Sequence, residues 1–101
     1  MGAQEFQIYA TEATPKKAFR KAVEESLYSY GHSGYTGTIA EKSTFTMASL
    51  TVLPEPKVHQ LINTTMDTTY RDKWGPAGCI QIQSANKKQL NTYIFYGWAS
   101  C

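Results

Sequence analysis

Residues 5–30 read EFQIYATEATPKKAFRKAVEESLYSY, and the hydrophobic period changes inside that stretch. Over 5–11 the period is two. Phe6, Ile8 and Ala10 alternate with Gln7 and Tyr9, the pattern of a half-buried strand. Further on it becomes helical: Phe19, Val23, Leu27 and Tyr30 follow at spacings of four, four and three, with Ala18 and Ala22 alongside. Thr14-Pro15 marks the junction. A threonine hydroxyl caps a helix, and proline at the first helical position forfeits only an N–H that would lack a partner there. Gly31 is the expected stop, because a glycine takes the left-handed conformation at a helix end without a steric cost.

The rest of the chain is read outward from this strand–helix pair. GHSGYTGT at 31–38 is a glycine-rich loop. Residues 36–42 and 44–53 are rich in Thr, Ile, Phe and Val and predict two antiparallel strands joined at Lys42-Ser43. Pro54 and Pro56 stop the second strand and open a helix. Its apolar positions, Val58, Leu61, Ile62, Thr65, Met66 and Tyr70, extend it to near Trp74, where Gly75-Pro76 ends it. AGCIQIQS at 77–84 alternates again, and Asn86-Lys87-Lys88 is a turn. TYIFYGW at 92–98 is apolar enough for a central strand buried on both faces. The order β-α-β-β-α-β-β predicts one α+β domain over 1–101. Its expected form is a two-layer sandwich, a mainly antiparallel sheet of about five strands with two helices on one face. The nearest named topology is ferredoxin-like with an extra hairpin.

Composition excludes several classes. A chain of 101 residues with 42% apolar and 18% charged residues can bury a core and is not a disordered tail. No apolar run reaches the roughly 18 residues that a membrane-crossing helix needs. MGAQEFQIYA lacks the pattern of a signal peptide, and Phe6 stands where a myristoylation motif takes Ser or Thr. Two cysteines make no disulfide framework and no Cys/His cluster has zinc spacing, so a reduced, cytoplasmic protein without metal or cofactor is expected. In that reading Cys79 is a core residue and Cys101 an exposed terminal thiol. A net charge of +2 is too mild to announce a nucleic-acid binder by itself.

Three features carry the functional expectations. Lys16, Lys17, Arg20 and Lys21 occupy the first two turns of the first helix, with Glu24 and Glu25 behind them. This is the reverse of what the helix dipole favours. An anion at that end would meet free N–H groups, dipole and cations together. The second feature is the loop: Gly34, Tyr35, Thr36, Gly37 and Thr38, with His32 before them, offer backbone N–H groups and hydroxyls to a phosphate. It is neither a P-loop nor a dinucleotide fingerprint. Tyr35 or Trp74 would stack on a base. The bland alternatives are a solvated charged face and an ordinary helix-to-strand connection. The third feature is aromatic density, 13% of residues. Tyr9 with two of Tyr93, Phe95, Tyr96 and Trp98 would line an open sheet face able to meet a base or another protein chain, or would simply fill the core. A hydrolase using His32 and Glu41 is a further alternative, although no nucleophile–base–orienter set is discernible. His59 is expected to be a partly buried structural histidine.

Three blocks, YGHSGYTGTIAEK at 30–42, KWGPAG at 73–78 and FYGWAS at 95–100, give the chain its resemblance to a family of small proteins met in bacteriophage and bacterial genomes, with no established activity. The resemblance implies a setting: a small, non-enzymatic accessory protein in the host cytoplasm, with a role in host takeover or counter-defence. Within that setting the expected partner is a phosphate-bearing small molecule such as a nucleotide signal, a nucleic acid, or a host enzyme occluded through the aromatic sheet face. A homo-oligomer formed through that face is also consistent, and no membrane is involved.

Overall fold

The computed structural model describes residues 2–30, 38–49, 51–83 and 91–100. In chain order the elements are β1 (Ala3–Glu12), α1 (Pro15–Tyr30), a 3₁₀ turn (Ile39–Glu41), β2 (Phe45–Met47), α2 (Glu55–Thr65), β3 (Ala77–Ile82) and β4 (Asn91–Ser100). They form a four-stranded mixed sheet in the order β1-β4-β3-β2. The apolar run at 92–98 is central, as expected. It pairs antiparallel with β1 on one side, from Ala3↔Ser100 to Glu12↔Asn91, and antiparallel with β3 on the other, from Gly78↔Tyr96 to Ile82↔Thr92.

The α+β class holds, but three details differ from the expected sandwich. The described sheet has four strands rather than about five, because the described part of the predicted strand, 38–42, does not yield one: Ile39–Glu41 is a 3₁₀ turn. Ile39 is core from that turn, and Lys42 is drawn into the interior rather than onto an edge. Secondly, β2 is short and runs parallel to β3, because a helix separates them and carries the chain back to the same end of the sheet. The segment predicted as one strand over 44–53 leaves the ladder after Ala48, whose N–H still reaches Cys79 O, and rejoins at Leu53↔Ile82. Ser49 and Thr51 turn the chain between those points.

The third difference is the layering. The helices lie on opposite faces of the sheet, not on one. Val58, Ile62 and Met66 pack with Tyr70, Ile80, Ile82, Ile94 and Tyr96. Ala18 and Ala22 pack instead with Ala10, Ile39, Cys79, Tyr93 and Phe95. Neighbouring strand residues point to opposite faces, so these are two cores, one on each side of the sheet. Strands apolar on both faces require cover on both. On the α1 side Phe19, Phe45 and Phe95 meet edge-on or tilted, with centroids 5.1–5.6 Å apart. On the α2 side Tyr70 meets Tyr96 edge-on at 5.1 Å. Each hydroxyl is bonded, Tyr96 Oη to Thr65 Oγ1 at 2.6 Å and Tyr70 Oη to Thr46 Oγ1 at 3.0 Å. Gly78 makes room for this pair: a Cβ there would lie 2.7 Å from the Tyr96 ring and 2.9 Å from that of Tyr70.

The second helix also ends early, at Thr65 rather than near Trp74. The segment that follows, MDTTYR at 66–71, is poor in helix formers. Thr64, Thr65 and Thr68 each donate to the carbonyl four residues back, and Tyr70 N–H reaches past the regular pattern to Thr65 O. No helix among the described residues is long and apolar enough to cross a membrane.

Candidate functional site

The start of α1 is built as the sequence predicts. Thr14 Oγ1 accepts the N–H of Lys17 at 3.2 Å, and Thr14 O accepts that of Ala18 at 3.0 Å. Ala18 and Ala22 are fully buried against the sheet. That anchoring turns Lys16, Lys17, Arg20 and Lys21 outward, all four exposed. The first turn holds no acid. Among the described residues no ion pair joins any of the four to a carboxylate. Two open hollows flank this face. One, of about 400 Å³, is bordered by Lys16, Phe19, Arg20 and Glu24 on the helix and by Lys42 and Ser43. The other, of about 440 Å³, is bordered by Lys17, Arg20 and Lys21 with Glu12 and Glu24. Arg20 lines both.

Lys42 borders the first hollow, but its ammonium is already engaged. Nζ donates to the carbonyl oxygens of Asp72, Lys73 and Gly75 at 3.2, 3.1 and 2.9 Å. An ammonium has three protons, so its capacity is filled. Burial lowers its pKa, and the nearby Asp72 carboxylate raises it in part. The turn it clasps is fixed further by Asp72 Oδ1, which accepts Trp74 N–H at 2.9 Å. The role of Lys42 is thus to tie the 3₁₀ segment to the 72–75 turn.

The other expected site residues are dispersed. Thr38 lies in a separate hollow of about 290 Å³ with residues 4–8 of β1 and Ser26 of α1. Ser26 is ten residues beyond Lys16, about 15 Å along the helix axis. Thr38 and the Lys16 end therefore do not share a hollow. Trp74 is 66% exposed on its turn, with Lys73 Nζ 5.4 Å above its ring, and lines neither hollow of the basic face. Glu41 is half-buried in the 3₁₀ turn. His32, Gly34, Tyr35, Thr36 and Gly37 lie outside the described residues, as do Gly31, Asn86-Lys87-Lys88 and Cys101.

The aromatic sheet face is reduced by the layering. Tyr93, Phe95 and Tyr96 are core residues and Trp98 is half-buried, its indole N–H donating to Met66 O at 3.1 Å. What α2 leaves uncovered is the outer part of its face along β1, where Tyr9 is 49% exposed. A hollow of about 430 Å³ opens there between Ala3, Asp67, Arg71 and Trp98, a grouping that sequence spacing gave no hint of. His59 is exposed rather than partly buried, with Nε2 3.7 Å from Glu55 Oε1. Cys79 is fully buried, and burial pushes its thiol up to about 12, far from the range of a working nucleophile. No cluster of metal-ligating side chains occurs among the described residues. No family model, no curated protein and no solved structure matches this chain.

Proposed function

We propose that the chain is a non-catalytic binding protein that engages a phosphate-bearing ligand, a nucleotide signal or a nucleic acid, through the exposed basic face of α1. The observation that carries this reading is the disposition of Lys16, Lys17, Arg20 and Lys21: outward, without carboxylate partners among the described residues, on a helix start that is itself partly positive. Each cation there costs the helix a few tenths of a kcal/mol. An anionic ligand reverses the sign of that term. The family resemblance extends the proposal to an accessory, counter-defence role in the cytoplasm of a phage host. The open form of both hollows suits a ligand held from one side.

The test is a melting-temperature panel of nucleotides, cyclic dinucleotides and short oligonucleotides against the purified chain. A ligand at a hundred times its dissociation constant stabilises the fold by about 2.7 kcal/mol. The expected response weakens with added salt and disappears in Lys16→Glu/Arg20→Glu. No response to any member of the panel overturns the proposal. His32→Ala and Glu41→Gln test the hydrolase alternative, which requires an activity that both changes abolish.

A further inference from the structure

The sheet has two edges that are managed differently. At one, β2 contributes three residues and the chain then departs. At the other, β1 offers ten residues laddered to β4 without a bulge. Nothing among the described residues hydrogen-bonds the outer edge of β1. Soluble proteins protect such an edge with proline, lysine, a bulge or a short strand. AQEFQIYATE contains no proline and no lysine. The hollow beside it touches residues 4–8 in succession. Ser26, Thr38 and Ile39 line its other side, so it lies at the margin of this edge on the α1 face. Phe6 and Ile8, which pack on the α1-side core, are only half-buried there, and Tyr9 is exposed on the other face.

We propose that β1 pairs antiparallel with β1 of a second copy of this chain, across a two-fold axis perpendicular to the sheet and centred at Gln7 or Ile8. The strand is complementary to itself in both registers. A perpendicular axis joins like faces, so Phe6 stands opposite Ile8 or Ala10 of the other copy and extends the apolar row. The charges also agree. Glu5 and Glu12 point to opposite faces, and neither meets its own image. Glu5 falls opposite Tyr9 or Thr11, and Glu12 opposite Gly2 or Gln4. No like charges are opposed, which a sheet pairing requires. The product is a continuous eight-stranded sheet with both α1 helices on one side. If the α1 face binds as proposed above, two such faces then act together on a long or two-headed anion; the pairing itself does not depend on that.

The test is sedimentation velocity of the full chain over a concentration series, beside Q7K/Y9K. Both substituted side chains are exposed, and in either register the variant sets lysines opposite one another. The expected result is a wild-type dimer that dissociates on dilution and a variant that is monomeric with an unchanged circular dichroism spectrum. Hydrogen exchange of the wild type supplies a second readout: alternate β1 amides lose protection on dilution. That readout decides the matter alone if the variant misfolds. A chain that is monomeric at every concentration, a dimer untouched by Q7K/Y9K, or β1 protection independent of concentration overturns the proposal. Failure of the ligand panel leaves all of these measurements unaffected.

Discussion

The Lys42 ammonium donates to three backbone carbonyls of one turn, so its removal takes that donor from the Lys73 and Gly75 oxygens, while Asp72 O keeps the Gly75 N–H. Lys42→Met keeps the length of the side chain and deletes the charge. It is expected to lower stability by about 1–3 kcal/mol, the usual cost of unsatisfied buried polar groups, measured by urea denaturation. A second expectation concerns Gly78. Gly78→Ala places a methyl within 3 Å of the Tyr70–Tyr96 pair and should cost about 1–3 kcal/mol through overpacking. Gly97 tolerates no better a replacement for a different reason: its φ of 149° is a conformation side chains rarely adopt, although a Cβ there would meet Phe6 and Tyr70 only at ordinary contact distances of 3.6–3.8 Å. None of these three roles is written in the local sequence. A lysine after a Thr-Gly-Thr loop has the appearance of a surface residue until the turn at 72–75 is folded around it.

Among the elements, α1 was legible almost completely. Its cap, first proline and apolar stripe act within a few residues of one another, and local interactions suffice to place them. Its charge order yields a prediction with two readouts of opposite sign. Lys16→Glu and Lys17→Glu should each raise thermal stability by about 0.3–1 kcal/mol through the helix dipole. The same changes should abolish the response to phosphate ligands. If both binding and stability fall together, the cations serve the fold and not a ligand. The segments 36–42 and 44–53 were not legible in the same way. Their β-branched composition favours extended chain, but Lys42 and Ile39 find better partners in the interior from a 3₁₀ turn. The end of α2 was likewise not legible: Met66 and Tyr70 still fill the core as the apolar period predicts, but from chain beyond the helix, with Tyr70 N–H returning to Thr65 O.

For the molecule as a whole, buried titrating groups set the alkaline limit of stability. Burial pushes the Cys79 thiol from its ordinary 9.0 up to about 12 and the Tyr96 phenol from 10.0 up to about 12. The native state keeps both protons where the unfolded chain has lost them. The stabilisation is present in full below about pH 9 and is lost as the pH rises toward 12. Lys42 acts in the opposite sense, because burial lowers its pKa, and offsets part of the loss. The urea midpoint should therefore fall steadily above pH 9, and Tyr96→Phe should flatten the upper part of that fall. A midpoint constant from pH 9 to pH 11 contradicts the assignment. The sequence by itself determined the α+β class, the first strand and its helix, and the central place of the run at 92–98, because hydrophobic period and capping are short-range and survive without tertiary context. It also determined the cations of α1 and their reversed order. Only the tertiary structure decided that the helices lie on opposite faces, that β2 runs parallel, and that Thr38 and Lys16 occupy different hollows. Those outcomes depend on which distant surfaces meet, and both faces of β3 and β4 had to be covered before any of the polar residues could be assigned a place.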